Sequence, residues 1–362
     1  MTTVAEARTA TEILAWSREA VEPMLRLAVD SLPGSMRRVA GYHLGWFDAA
    51  GEPADADAGT ADPRSSALRP AQAAGKAIRP ALVLLASAAV GGIADSAMPA
   101  AAAVELVHNF SLLHDDVMDG DETRRHRPTA WTVFGRDAAI LAGDALLSLA
   151  MDVLATGTRG WSASGPSAVG ILSAAVQKLL DGQSADLEFE LRADVGPGEC
   201  RRMAEAKTAA LLACACELGA RSGRGAEFRV AHLRDFGAAL GVAFQVVDDL
   251  LGIWGDPAVT GKPAHSDLRS HKKSFPVTVA LAADSPSSLE LRERYRRVEP
   301  CGERDLQRVA DLIEATGART WCQHTADAVL AEALDHLVAA GAPGRVEADL
   351  RTLAAFVTRR DR

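Results

Sequence analysis

Two places in the chain put paired aspartates at the end of an apolar run. One is Leu112-Leu113-His114-Asp115-Asp116-Val117-Met118-Asp119, the other Gln245-Val246-Val247-Asp248-Asp249-Leu250-Leu251. On a helix, Asp115 and Asp119 share one face, roughly 6 Å apart along the axis. Like charges at that spacing repel, so the cluster needs a counter-charge. Mg²⁺ is the natural candidate, because it takes one or two carboxylates, keeps several waters and leaves its other positions to phosphate oxygens. A single such pair among 48 acidic residues reads as a solvated helix end. Two pairs, each closing an apolar run, point to a metal site.

Basic residues follow each acid cluster. Glu122-Thr123-Arg124-Arg125-His126-Arg127-Pro128-Thr129 comes directly after the first, and Pro128 takes it out of helix. Guanidinium groups match phosphate bidentately, so acids beside arginine forks suit a Mg-bound diphosphate. Local charge compensation of Asp119 and Asp121 is the bland reading, and it accounts for one or two of the arginines. After the second cluster, Gly261-Lys262-Pro263, Ser266-Asp267-Leu268 and His271-Lys272-Lys273-Ser274 repeat the acid-then-base order. Upstream, Gly75-Lys76-Ala77-Ile78-Arg79-Pro80 opens an apolar helix. Cations at a helix start oppose the macrodipole, which suggests an external anion; a snorkelling surface pair is the equal alternative. Lys207, followed by Thr208 and an apolar run, either pairs or caps an anion. Gln183 and Asp186 share a helical face, and spacing does not choose between inward polar groups and plain surface.

The elements that position these residues read as helices. Of 362 residues, 48% are hydrophobic and only 5% aromatic, the hydrophobic share is rich in alanine, and no period-2 run stands out. The fold class is therefore all-α. Helices are expected over about 9–29, from Ser35, from Pro80, over 100–121, over 131–156 and through Leu191, with breaks at Pro33-Gly34, 157–165 and Pro197-Gly198. Residues 51–74 lack large apolar side chains and read as a flexible loop. A net charge of −9 and a pI near 5.5 argue against non-specific nucleic-acid binding. Five cysteines (Cys200, Cys214, Cys216, Cys301, Cys322), odd in number and without zinc spacing, suggest reduced cytoplasmic thiols. With Glu6 and no apolar core in the first residues, no signal peptide is expected there. The apolar stretch from Pro80 is interrupted by Asp95, so no transmembrane segment is expected.

In this order, the segments resemble the trans-isoprenyl diphosphate synthases (polyprenyl synthetases). The pieces are GKAIRP at 75–80, HNFSLLHDDVMD at 108–119, RRHRPT at 124–129, GQSAD at 182–186, KT at 207–208, FQVVDD at 244–249 and GKPAHSDLRSHKKS at 261–274. The resemblance implies the isoprenoid synthase fold, a single domain over 1–362 with long helices bundled around a deep central cavity, usually a homodimer. It implies three Mg²⁺ ions held by Asp115 and Asp119 facing Asp248, with Asp116 and Asp249 supporting from behind. Arg124, Lys207 and Lys262 would bind an allylic diphosphate. Lys76, Arg79, His108 and Arg125 would bind isopentenyl diphosphate, and Thr208 and Gln183 would line the cavity near the reacting carbons. The implied reaction is ionisation, condensation and elimination, in an apolar cavity that keeps water from the cation. The sequence departs from the family pattern at one place. A third aspartate usually follows four residues after Asp248; here Gly252 stands there, with Asp256 one turn on.

Phe110 and Ser111 lie five and four residues before Asp115. Five residues span roughly 7.5 Å of helix, on the order of one to two isoprene units. By resemblance they form a floor for the growing tail, bulky then small, which favours geranylgeranyl over farnesyl diphosphate as product. Two other readings compete. A class I terpene cyclase would need a second Asn/Asp–Ser/Thr–Glu site, which is missing, and would have no use for the Lys76, Arg79, His108 and Arg125 set. A non-catalytic partner subunit would be expected to have lost metal aspartates or the RRHRPT segment, and both are present.

Overall fold

The computed structural model describes residues 8–53, 77–125, 127–158, 166–257, 264–296 and 302–358. Lys76, Lys262, His126, Cys301 and residues 54–74 of the expected loop lie outside these. The described residues are almost wholly helical. In chain order the helices are α1 (Ala10–Asp30), α2 (Gly34–His43), α3 (Ile78–Ala89), α4 (Ala94–Met118), α5 (Ala130–Phe134), α6 (Arg136–Gly157), α7 (Ala168–Leu191), α8 (Pro197–Ala204), α9 (Ala210–Ser222), α10 (Glu227–Trp254), α11 (Ser266–Arg269), α12 (Phe275–Ala282), α13 (Pro286–Tyr295), α14 (Glu303–Ala315), α15 (Ala318–Ala340) and α16 (Gly344–Thr358). A π-helical stretch, Glu205–Ala209, joins α8 to α9. Two two-residue strands, β1 (Thr123–Arg124) and β2 (Arg127–Pro128), pair antiparallel between α4 and α5.

The chain divides into two compact units, one of Met1–Ser173, Ala215–Val230 and Pro343–Asp349, the other of Ala174–Cys214, Ala231–Ala342 and Leu350–Arg362. In the first, α4 is the central helix and packs on α1, α3, α5 and α6. Its alanines make that possible: Ala97, Ala100, Ala101, Ala102 and Ala103 are fully buried and let neighbouring backbones come close. In the second, α12 packs on α8, α13, α14 and α15, and Ile253, Leu268, Val277, Leu291, Leu306 and Ile313 form one buried cluster.

Several sequence expectations are met at the level of elements. Thr9 caps α1 and forms a capping box with Glu12, where the pattern starts. Others differ. α4 begins at Ala94, six residues earlier than expected, and runs through Pro99 in its second turn. The helix expected over 131–156 is two, split at Gly135 with φ +88°. Residues 51–53 belong to an ordered turn, in which the Asp48 carboxylate accepts from the amides of Ala50, Gly51 and Glu52. The Pro80 stretch is also not the longest apolar helix. α6 and α10 are both long and apolar enough, by length and composition alone, to cross a membrane. Cys200, Cys214, Cys216 and Cys322 are buried, and none is in a disulfide.

One ion pair closes the first unit. The Asp349 carboxylate, 1% exposed, accepts from the Arg8 Nη2 at 2.8 Å, Nε at 3.1 Å and backbone amide at 3.2 Å. Removing the guanidinium strands a buried carboxylate. Arg8→Met is expected to cost about 1–3 kcal/mol, read as a lower urea midpoint at unchanged slope; an unchanged midpoint would show that water replaces the pair.

Candidate active site

The last turn of α4 carries the first acid cluster. Asp115 is half-buried, Asp116 buried and Asp119, at the helix C-cap, exposed. Arg124 on β1 places Nε 2.7 Å and Nη2 2.6 Å from Asp116 Oδ1, with Nη2 3.9 Å from Asp121. Burial pushes the Asp116 carboxyl up despite Arg124, and its Oδ2 is buried with no hydrogen-bond partner. The hairpin is fixed from below. Thr129 Oγ1 and Trp131 Nε1 both donate to Asp121 O at 2.8 Å, and Tyr42 Oη donates to Pro128 O at 2.8 Å. Arg127 turns its fork on the Tyr42 and Phe47 carbonyls at 3.3 and 3.1 Å, so this third arginine of the loop is structural. A small open pocket lies here, lined by His43, Asp116, Arg124, Arg125 and their neighbours.

Behind it lies a basic pocket in the same unit. Arg79 and Arg125 both act on the charge of His108 and on that of Glu105, which is buried. Arg125 sits in the left-handed region at φ +53°, a strained conformation for a non-glycine residue. Burial lowers its pKa, and Glu105 partly restores it. Burial and then Arg79 and Arg125 hold His108 well below its ordinary range, so it is neutral. Glu105, Asn109, Arg18 and His43 complete the pocket, and sequence reasoning missed all four. Asn109 Nδ2 donates to Glu105 O at 2.8 Å and Oε1 at 3.3 Å. Glu105 was findable, since an acid inside an otherwise apolar helix three residues before His108 demands partners. Phe110, 3% exposed, and Ser111, whose Oγ donates to His108 O at 2.8 Å, lie one turn behind Asp115.

The second cluster stands in the other unit. Asp248 is exposed and Asp249 buried. Asp249 Oδ1 accepts from Gln245 Nε2 and Oδ2 from the Phe275 amide, both at 2.8 Å. Thr208 Oγ1 donates to Gln245 Oε1 at 2.5 Å, so Thr208 orients Gln245 onto Asp249. Burial pushes the Asp249 carboxyl up to about 7, against the pull of Lys272. Burial opposes the charge on Lys272 too, but Asp186, Asp249, Asp267 and Asp248 together hold its ammonium well above the ordinary range. Lys207 pairs with Asp186 at 2.6 Å, and both side chains are largely buried, at 20% and 16% exposed. Gln183 is buried beside them. Gly182 is needed for this contact, because a Cβ there would fall 2.3 Å from Lys207 N.

Gly252 has a similar explanation. A Cβ on it would lie 2.3–2.5 Å from the Asp267 carboxyl atoms. The carboxylate beside position 252 is therefore Asp267, brought back by α11, whereas Asp256 is exposed near the end of α10. Among the described residues no three His, Cys, Asp or Glu side chains converge into a protein-only metal cage. The donor set still fits Mg²⁺, which needs only one or two carboxylates when phosphate and water complete its shell. The all-oxygen chemistry of Asp115 and Asp119, and the orphaned Asp116 Oδ2, suit a hard cation.

Known proteins show the same arrangement of helices. A polyprenyl synthetase structure from Streptomyces coelicolor superposes with a TM-score of 0.85 at 44% identity, covering 96% of this chain and 99% of that one. The (2E,6E)-farnesyl diphosphate synthase of Mycobacterium bovis is 44% identical over 354 residues, 96% of this chain and 92% of its own. The geranylgeranyl diphosphate synthase of Mycobacterium tuberculosis is 41% identical over 340 residues, 94% and 91% of the two chains. The fold is thus the all-α isoprenoid synthase fold. Residues 65–313 match the family model described as polyprenyl synthetase, and the chain belongs to that family.

Two outcomes follow from this geometry. Gly252→Asp forces its side chain into Asp267 and is expected to cost about 1–3 kcal/mol; the double variant Gly252→Asp, Asp267→Gly should recover the loss in urea unfolding, and no recovery would mean that Asp267 is not the obstacle. His43 is the second case. Burial, then Arg125 and Arg124, hold it down at about 3 from an ordinary 6.5. Unfolded chains take up that proton near 6.5 and the folded protein does not, so its contribution is full above 6.5 and declines as pH falls, by at most about 1.4 kcal/mol per pH unit. From about pH 7 to 5 the wild type should lose stability more steeply than His43→Asn; parallel curves would contradict a neutral, buried imidazole.

Proposed function

We propose that this chain-elongating trans-prenyltransferase joins isopentenyl diphosphate to an allylic diphosphate and releases geranylgeranyl diphosphate, with farnesyl diphosphate the runner-up. The observation that carries the choice of length is Phe110, a buried ring five residues before Asp115 with the small Ser111 between it and the acids. The whole chain acts as one synthase; the family match runs through residues of both units.

Asp115 and Asp119 in one cluster and Asp248 in the other are the carboxylates for Mg²⁺, by the donor chemistry above. Bound Mg²⁺ neutralises charge on the departing diphosphate. Arg79, His108 and Arg125, with Lys76, hold isopentenyl diphosphate; neutral His108 donates a hydrogen bond without adding to the repulsion between the arginines. Arg124, Lys207 and Lys262 hold the allylic diphosphate. Arg124 uses Nε and Nη2 on Asp116 and Lys207 one proton on Asp186, so each keeps further N–H donors and is fixed in direction before substrate arrives. The allylic C–O bond breaks, the isopentenyl double bond attacks the cation, and the released diphosphate takes the proton lost from the adduct. Thr208 and Gln183 stand near the reacting carbons, and the apolar face of α4 keeps water from the cation.

The chain is further proposed to work as a cytoplasmic homodimer. Ile140 and Leu141 are exposed on α6, at 39% and 53%, an apolar surface that a second copy would cover.

Incubation with Mg²⁺, isopentenyl diphosphate and dimethylallyl or farnesyl diphosphate should give an elongated diphosphate. Asp115→Asn and Asp248→Asn should each lower kcat by about 10²–10³-fold with an unchanged circular-dichroism spectrum. Phe110→Ala should lengthen the product. Full turnover in either aspartate variant would remove that residue from the metal site, and an unchanged product would remove Phe110 from the floor.

A further inference from the structure

His114 immediately precedes Asp115, and no step of the reaction uses it. Its ring is held from three directions. It stands edge-on to Phe110, with ring centroids 4.8 Å apart and planes at 67°. Phe110 and His114 are four residues apart on α4 and so share a face. Across the helix interface, His114 Nε2 lies 3.0 Å from Ile140 O; a carbonyl only accepts, so Nε2 carries the proton. The same nitrogen is 3.6 Å from Asp144 Oδ1. Gly143 makes room for this, since a Cβ there would fall 2.3 Å from both Cδ2 and Nε2 of the ring. The imidazole is thus seated on the backbone of α6 and braces the Phe110 ring.

We infer that His114 fixes the position of Phe110 and, through it, the longest tail that the enzyme completes. This rests on the reading of Phe110 as the floor. A phenyl ring at the end of a tail cavity has two soft torsions and swings aside unless something stops it. The stop is a neighbour on the same helix, tied to the adjacent helix by a hydrogen bond that does not involve substrate. His114 is therefore a positioning residue for chain length, and Gly143 on α6 is part of the same device through the room that it leaves for the ring. The role explains why a polar ring lies between an apolar run and a metal cluster, where a leucine would pack but would not hold a fixed orientation.

The test compares product lengths by chromatography, with labelled isopentenyl diphosphate, for His114→Ala, Gly143→Ala, Phe110→Ala and the doubles His114→Ala, Phe110→Ala and Gly143→Ala, Phe110→Ala. Thermal melts confirm folding. His114→Ala should move the main product at least one five-carbon unit longer. Gly143→Ala, which displaces the ring and leaves α4 unaltered, should redistribute product length and decides the matter if His114→Ala has no turnover. Both effects should vanish in the Phe110→Ala background, because His114 acts through Phe110; a merely structural role would not show that dependence. Wild-type product length in the folded single variants overturns the inference, as does an equal added shift in the Phe110→Ala background. A wild-type protein that elongates nothing would instead sink the reading of the reaction itself.

Discussion

Adjacent residues on a helix point about 100° apart, so the two members of an Asp-Asp pair cannot face the same way. That constraint organises both acid clusters. The second member goes inward: Asp116 is 1% exposed and Asp249 2%. The first stays toward solvent, half-buried at Asp115 and exposed at Asp248. A carboxylate taken out of water must find donors, and each inner acid finds at least one on a segment that follows its helix. Asp116 fixes Arg124 and with it the β1–β2 hairpin; Asp249 fixes the Phe275 amide at the start of α12 and draws in Lys272. The acid-then-base order along the chain is the trace of this folding back. The inner aspartate of each pair is tied into the fold, and the outer one stays nearer solvent.

Much of this was legible because it is local. The capping box at Thr9, the apolar run ending at Asp115 and the proline that keeps the segment at Pro128 out of helix all act over a few residues, and local signals are what residue spacing records. The split at Gly135 carries a signal too, a glycine inside an apolar stretch that takes φ +88°. The hairpin was not legible. Strands of two residues are too short to show alternation, and the turn between them depends on Arg125 taking φ +53°, which no arginine announces.

What stayed hidden depends on distant partners. Lys272 and Lys273 are neighbours of one type, yet their environments are opposite. Four aspartates surround Lys272 and raise its pKa. Burial lowers that of Lys273, which donates to His271 O at 3.2 Å and lies 5.3 Å above the Tyr295 ring. Gly252 looked like a missing acid when read along its own helix. In three dimensions it is the space into which α11 delivers Asp267, and a motif counted within one helix cannot include a carboxylate from the next.

The basic pocket shows why an anion site can contain a buried acid. Arg18, Arg79 and Arg125 repel one another, and burial already weakens the hold of Arg125 on its proton. Without a carboxylate among them, three guanidinium groups could not remain together while the site is empty. Glu105 supplies that charge, although burial raises its own pKa. His43 and His108 extend the donor set and remain neutral for the same reason, since burial and the arginines together suppress their protonation. The result is a site with a modest net positive charge and many donors. By charge and donor count such a pocket suits a multiply charged anion.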